Sequence, residues 1–299
     1  MKKTIMWMTV ALAGTVYAAP DWSRAPARTM KLFYPGQASL EWVMNRSDHS
    51  AVPDIVDKKR SCAKCHEGDA YEIGDKIVKG VSVGSSKSVL EPSPPKGKPG
   101  FIPVAFQTTY DNDKIYFRFE WTSPPNGDKK LDLKNEVKLT MMFDGGGTVD
   151  GASLNGCWAT CHQDLRSMKD AKDDKKTKYI KDADLSAGKF MDLIQYRSGK
   201  GEKAEDGYVA ASREMDGGKS LLKADGKKEG NKWVVVFERS LAGSGKGDHT
   251  IAAGKVYNFG FAVHEDYTNA RFHYVSLGYQ FGLDRAMPEV KNYINANKQ

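Results

Sequence analysis

Ile115-Tyr116-Phe117-Arg118-Phe119-Glu120-Trp121 places a large apolar side chain at every second position. Successive side chains of a strand turn to opposite faces, so this period of two predicts a strand with one face buried. The same period recurs on both sides. Val104, Phe106, Thr108 and Tyr110 alternate before it, and Val137, Leu139, Met141 and Phe143 after it. Tyr257, Phe259, Phe261 and Val263 repeat the pattern near the end, and residues 190–196 and 233–237 add two β-rich runs. Pro124-Pro125-Asn126-Gly127-Asp128 and Asp144-Gly145-Gly146-Gly147 are turn-forming clusters between them. Many short strands with little helical periodicity predict a mainly β chain, an antiparallel β-sandwich over residues 71–299. Residues 84–100, rich in Pro, Gly and Ser, read as a long connection, and residues 288–296 as a short terminal helix.

Ahead of the strands, residues 19–70 are weakly periodic and too few for a large apolar core. They contain Cys62-Ala63-Lys64-Cys65-His66. Two cysteines separated by two residues, with histidine next, form the attachment pattern of a c-type haem. Each thiolate makes a thioether to a haem vinyl group, and the histidine is the proximal iron ligand. A second site reads Cys157-Trp158-Ala159-Thr160-Cys161-His162, with three intervening residues, one of which is expected to bulge. The chain has only four cysteines and 6 histidines. At that frequency a given cysteine precedes histidine by chance about 2% of the time, yet both pairs end in Cys-His. The pattern predicts two covalently bound c-type haems. Residues 19–70 are then a small loop-and-helix haem module preceding the sandwich, with the ring supplying its apolar centre. One zinc held by all four cysteines, or a small-loop disulfide at the second pair, would leave the two histidines unexplained.

Lys2 and Lys3, an apolar run over residues 5–16 and then Tyr17-Ala18-Ala19-Pro20 predict a secretory signal, residues 1–18, cut after Ala18. The run is shorter than the ~20 residues of a spanning helix, and no later segment is apolar enough to cross a bilayer. A soluble protein of the bacterial periplasm follows, where cysteines can carry haem. The net charge of +7 falls to +5 without Lys2 and Lys3. About four haem propionates would nearly cancel the remainder. Lysines interleaved with acids, as in Lys169-Asp170-Ala171-Lys172-Asp173-Asp174, read as a solvated loop and not as a nucleic-acid surface.

Residues 115–121, Met141-Met142-Phe143-Asp144 and Arg271-Phe272-His273-Tyr274-Val275-Ser276-Leu277 together resemble the haem-binding β-sandwich of the gamma subunits of type II DMSO-reductase-family enzymes, such as ethylbenzene dehydrogenase. The domain also occurs in dihaem c-type cytochromes linked to denitrification, the cytochrome c-552 group, and the resemblance runs from about Tyr71 to the C-terminus. It implies a haem held by methionine and lysine. Here the chain departs from it, because His162 follows a covalent motif and His273 stands where the lysine is expected. His162 and His273 are therefore expected to ligate the second iron, and Met141 and Met142 to be core. For the first iron, His66 is the proximal ligand and His49 the expected distal one, with Met44 as competitor. His264 is a candidate supporting hydrogen-bond donor, His249 a loop residue, and Arg271 either a propionate partner or a surface residue.

Two histidines on each iron leave no open position, so the expected protein is an electron carrier and not an enzyme. The resemblance implies service in anaerobic respiration, such as nitrite reduction, with redox proteins as partners. Two rivals differ in class: a peroxidase-like dihaem enzyme with one open iron, and a relay subunit of a molybdenum oxidoreductase.

Overall fold

The alternating runs become paired strands in the computed structural model, which describes residues 19–46, 60–83, 88–124, 130–161, 179–201, 203–215 and 222–299. Strands are numbered in chain order. One half of the sandwich joins β10 (Lys223–Glu229), β11 (Lys232–Ser240), β5 (Lys114–Thr122), β4 (Phe101–Tyr110) and β1 (Arg28–Phe33), in that order. The other half runs β12 (Tyr257–His264), β6 (Lys138–Asp144), β7 (Met191–Arg197), β8 (Ala204–Val209) and β9 (Arg213–Met215). β13 (Tyr274–Val275) links β1 to β12, while β14 (Tyr279–Leu283) and β15 (Tyr293–Lys298) link β12 to β4. The β14–β15 and β15–β4 pairings are parallel; the other pairings are antiparallel. Ser82–Val83 (β2) and Ser88–Val89 (β3) form a small separate hairpin.

The alternation explains the core. Phe106, Phe117, Phe119 and Phe237 turn from one half toward Phe143, Phe259 and Phe261 of the other, all fully buried. Ring centroids of Phe119 and Phe261 stand 4.9 Å apart and those of Phe106 and Phe259 5.2 Å. Each such ring contributes about 1.5–3 kcal/mol by leaving water. Met141 and Met142 are fully buried, as expected of core residues. Arg239 is also fully buried: its guanidinium pairs with Asp192 and donates to the carbonyls of Ser240 (2.8 Å) and His249 (2.7 Å).

Three features differ from the expectation. Residues 288–296 are not a helix: Tyr293–Lys298 pair with β14 and β4, and that pairing buries Tyr293, Ile294 and Ala296. Here sheet pairing overrides local preference. Lys223–Glu229 shows no apolar alternation because it is a lysine-rich edge strand with one partner of its own length, β11. The stretch read as an N-terminal module contributes β1, an interior strand between β4 and β13.

Among the described residues there are four α-helices: α1 (Leu40–Arg46), α2 (Ala63–His66), α3 (Ala70–Val78) and α4 (Ala152–Cys161). α3 packs on β1 and β4, and α4 on β12 and β6. No helix among the described residues is long and apolar enough to cross a membrane.

Candidate haem centres

Cys62 opens α2, and the amides of Cys65 and His66 return to its carbonyl at 3.1 and 2.9 Å. Ser61 anchors this turn: its hydroxyl accepts from the Ala63 amide (3.2 Å) and donates to the Gly278 carbonyl (2.9 Å). The helical turn brings Cys62, Cys65 and His66 onto neighbouring faces. Cys62 is partly buried and Cys65 exposed, and none of the four cysteines is in a disulfide. Burial, with a smaller contribution from neighbouring Cys65, pushes the Cys62 thiol up to about 11. His66 Nδ1 lies 3.1 Å from both carboxylate oxygens of Asp69. A carboxylate only accepts, so Nδ1 carries the proton and Nε2 keeps the lone pair a metal needs. Asp69, three residues beyond His66, was missed in the sequence; an acid one helical turn after a ligand is the signal that could have found it.

Beside this turn lies a cavity of about 360 Å³, within the roughly 300–1,000 Å³ span of small-molecule sites. Cys62 and His66 form part of its wall, with Phe33, Trp42, Ile77 and Leu277 among the apolar remainder. β1 brings Phe33 to this wall. Asn155 and Trp158, from the helix that carries the second motif, stand in it too. Both carry a buried polar atom without a hydrogen-bond partner, Asn155 Oδ1 and Trp158 Nε1. An apolar slot with thiols and an oriented imidazole at its mouth, and polar atoms still to be satisfied, fits a c-type haem.

The second motif, expected in a loop after the strand ending at Phe143, is helical as far as Cys161. It lies on α4, which is interrupted only at Asn155 (φ −153°, ψ 37°) and Gly156 (φ 45°, ψ −127°). No residue bulges between Cys157 and Cys161. They stand four apart, so one helical turn carries both thiols to one face, and the extra residue is absorbed by helical geometry. Three glycines let this helix lie against the sheet. A Cβ on Gly156 would come 2.7 Å from the Phe259 carbonyl oxygen, one on Gly260 2.7 Å from the Cys157 amide, and one on Gly278 3.0 Å from Asn155 Cα. Cys157 is buried, and its thiol is held well above the usual range by its hydrogen bond with Cys161 and by burial. Among the described residues the four cysteines do not converge on a common metal position, so the shared-zinc alternative has no support.

The motifs are nonetheless neighbours. The Cys62 amide donates to the Leu154 carbonyl at 2.8 Å.

Of the expected distal ligands, His49 lies outside the described residues, as does His162. Met44, the competitor to His49, packs against the core. His273 is buried, and its Nδ1 donates to the Ala270 carbonyl (2.7 Å). His264 Nε2 donates to the same carbonyl (3.0 Å), and the two rings stand 4.8 Å apart. Burial, reinforced by Lys98 and Lys138, brings His273 down to about 4, and burial and His273 lower His264 as well. Both rings are therefore neutral, the form in which imidazole ligates. His264 shares a strand face with Gly260, on which Cys157 rests, four residues or ~13 Å away. The histidine pair and the second attachment helix thus occupy one outer face of the sheet.

His249 is buried and structural: Nε2 donates to the Phe190 carbonyl (2.9 Å), and its ring stacks on Phe190. Arg271 is committed to buried Glu91 through two hydrogen bonds of 3.1 and 3.0 Å, and Glu91 also accepts from Tyr34.

Comparison with known proteins agrees with this chemistry. The family model described as ethylbenzene dehydrogenase matches residues 19–228, starting well ahead of Tyr71, where the sequence resemblance was placed. A cytochrome c-552 of Stutzerimonas stutzeri is 44% identical over 95% of this chain and 97% of its own length. A cytochrome c-551 of Rhodocyclus tenuis is 32% identical over 91% and 98%. Among solved structures, a carbohydrate binding module family 9 from Caldicellulosiruptor kristjanssonii reaches a TM-score of only 0.31 at 9% identity, covering 59% of this chain and 65% of its own, and carries no argument. Thioether-ready cysteines, an oriented histidine, the family match and two cytochrome relatives lead to one conclusion: the chain belongs to the ethylbenzene dehydrogenase family and is a c-type cytochrome within it.

Proposed function

We propose that the protein is an exported, periplasmic dihaem cytochrome c that carries electrons between redox proteins and performs no substrate chemistry of its own. The observation that supports it best is the docking of the two attachment motifs, one hydrogen bond apart from Cys62 to Leu154, around a cavity that both help to wall. Each haem supplies a one-electron iron couple when bound. The chain does the rest. Cys62 and Cys65 would anchor the first haem, with His66 as its proximal ligand, and Asp69 accepts from His66 Nδ1, which leaves Nε2 to bind a metal. Phe33, Trp42 and Leu277 would shield that haem from water. Cys157 and Cys161 would anchor the second, with His162 as proximal ligand. His273, its ring held by the bond to Ala270, would be the distal ligand of the second haem, and His49 that of the first. The finer assignment, service in anaerobic respiration such as nitrite reduction, rests on the sequence resemblance.

The test is a haem count on the periplasmically expressed protein, followed by carbon monoxide titration of its reduced form. Two c-type haems per chain, neither binding the gas, is the expected result. One haem per chain overturns the dihaem reading. Two haems of which one binds the gas readily overturn the saturated carrier and move the peroxidase-like reading ahead.

A further inference from the structure

Trp158 belongs to the second attachment motif yet stands in the wall of the first cavity, with Cys62 and His66. Helical geometry accounts for this double membership. Cys157 and Cys161 share one helix face, and the residue after Cys157 is rotated by about 100° around the axis. The second ring hangs from the cysteine face, so the indole projects from an adjacent one. The kink at Asn155 and Gly156, and the bond from Cys62 to Leu154, fix that adjacent face against the first motif.

The indole is 4% exposed, and its Nε1–H is buried without an acceptor. A donor in that position is costly to leave unmade. The apolar side chains of the wall offer it no acceptor, and the one amide oxygen there, Asn155 Oδ1, is buried without a hydrogen bond to it. A haem offers strong ones only in its propionate carboxylates.

Resting on the dihaem reading above, we propose that Trp158 donates its indole N–H to a propionate of the first haem, the one bound by Cys62 and Cys65. Trp158 is a positioning residue. It makes the second attachment helix a structural part of the first haem's site. The donor offsets propionate charge near the iron, and so raises the first haem's reduction potential relative to a site without it. A single helix then separates the two rings, with one of its side chains touching the first.

Trp158→Phe tests this, because it keeps an aromatic ring and removes the N–H. The expected result is a lower midpoint potential for the first haem, with the second unchanged, and a shift of the propionate bending band in the resonance Raman spectrum. Trp158→His, which restores a ring N–H, should recover part of both shifts. The first haem is identified in a Cys157→Ala/Cys161→Ala background, where the Trp158→Phe shift must persist. Should that background not accumulate, the Raman band of the dihaem protein decides. Unchanged potentials and an unchanged propionate band overturn the inference, as does a shift confined to the second haem. A count of one haem per chain in the wild type sinks the dihaem reading instead, and leaves the propionate contact to stand or fall by the Raman band.

Discussion

Cys62–His66 lies on a short helical turn at the surface, beside an open apolar cavity, whereas Cys157 and Cys161 lie on a longer helix pressed onto a strand through three glycines. The first site has room, and its turn is held by single hydrogen bonds, from the Cys62 amide to the Leu154 carbonyl and from Ser61 to the Gly278 carbonyl. Its histidine is steered by a half-exposed carboxylate, Asp69. The second has little slack, because the helix sits at backbone contact distance from β12. The difference teaches that two cysteine motifs of one chain can be carried by unlike scaffolds. What each scaffold must supply is two thiols on one helix face, and a separate element decides how tightly that face is held.

This contrast can be broken in graded steps. The largest effect is expected from Trp42→Ala. Trp42 is 5% exposed and walls the first cavity, so truncation should cost about 3–5 kcal/mol in chemical unfolding. Its haem-related consequences, read as a changed visible spectrum, should be confined to the first site. Next is Gly156→Ala. Its positive φ alone costs roughly 1–2 kcal/mol with a side chain, and the 2.7 Å approach to the Phe259 carbonyl adds strain. Lower thermal stability and a reduced yield of the second covalent haem should follow. The matched change beside the first motif, Gly68→Ala, meets nothing within 4 Å and should move stability by less than about 0.5 kcal/mol. If both glycines respond alike, the contrast between a clamped and an open site is mistaken.

Smaller still is the acid response of the loop that frames the histidine pair. Burial opposes ionisation of Asp132, but hydrogen bonds from Lys138 and Asn135 outweigh it and bring the group down to about 2. A lowered acid contributes stability that is present above pH ~4 and lost as pH falls toward 2. Near-surface screening keeps the contribution to about 1 kcal/mol or less. Asp132→Asn should therefore narrow the difference in unfolding midpoint between pH 5 and pH 3; an unaltered difference would show that Asp132 is unimportant there. The smallest expected stability effect belongs to Asp69→Asn. The amide is a weaker acceptor for His66 Nδ1–H, so the imidazole becomes a poorer donor to iron and the first haem's potential should rise, with the fold intact. A potentiometric titration that finds no change would remove Asp69 from its orienting role.

Much of the fold was legible because burial on one face writes a period of two into the sequence. The runs around Phe106, Phe117, Phe143, Phe237 and Phe259 became strands, as did Phe190–Tyr196 in large part. Lys223–Glu229 was illegible because an edge strand faces water and needs no apolar alternation. Tyr293–Lys298 was misread because its parallel pairings with β14 and with distant β4 leave no local signal in the segment itself. The site divides in the same way. Cys62, Cys65, His66, Cys157 and Cys161 are candidates because attachment chemistry prescribes their spacing. Asp69 was passed over although it stands three residues after His66, Trp158 because the covalent pattern does not require it, and Arg271 could not be assigned without seeing buried Glu91.

By itself, then, the sequence determined the sandwich and the two candidate attachment motifs, since strand period and motif spacing are both local properties of the chain. Only the tertiary structure decided that the two motifs touch, that Trp158 of one walls the cavity of the other, and that His264 and His273 share a carbonyl. The histidines are brought together locally, by the turn between β12 and β13. The first two are contacts between segments far apart in sequence, settled by how α4 is let onto the sheet at Gly156, Gly260 and Gly278, where the absence of a Cβ gives the backbone its closest approach.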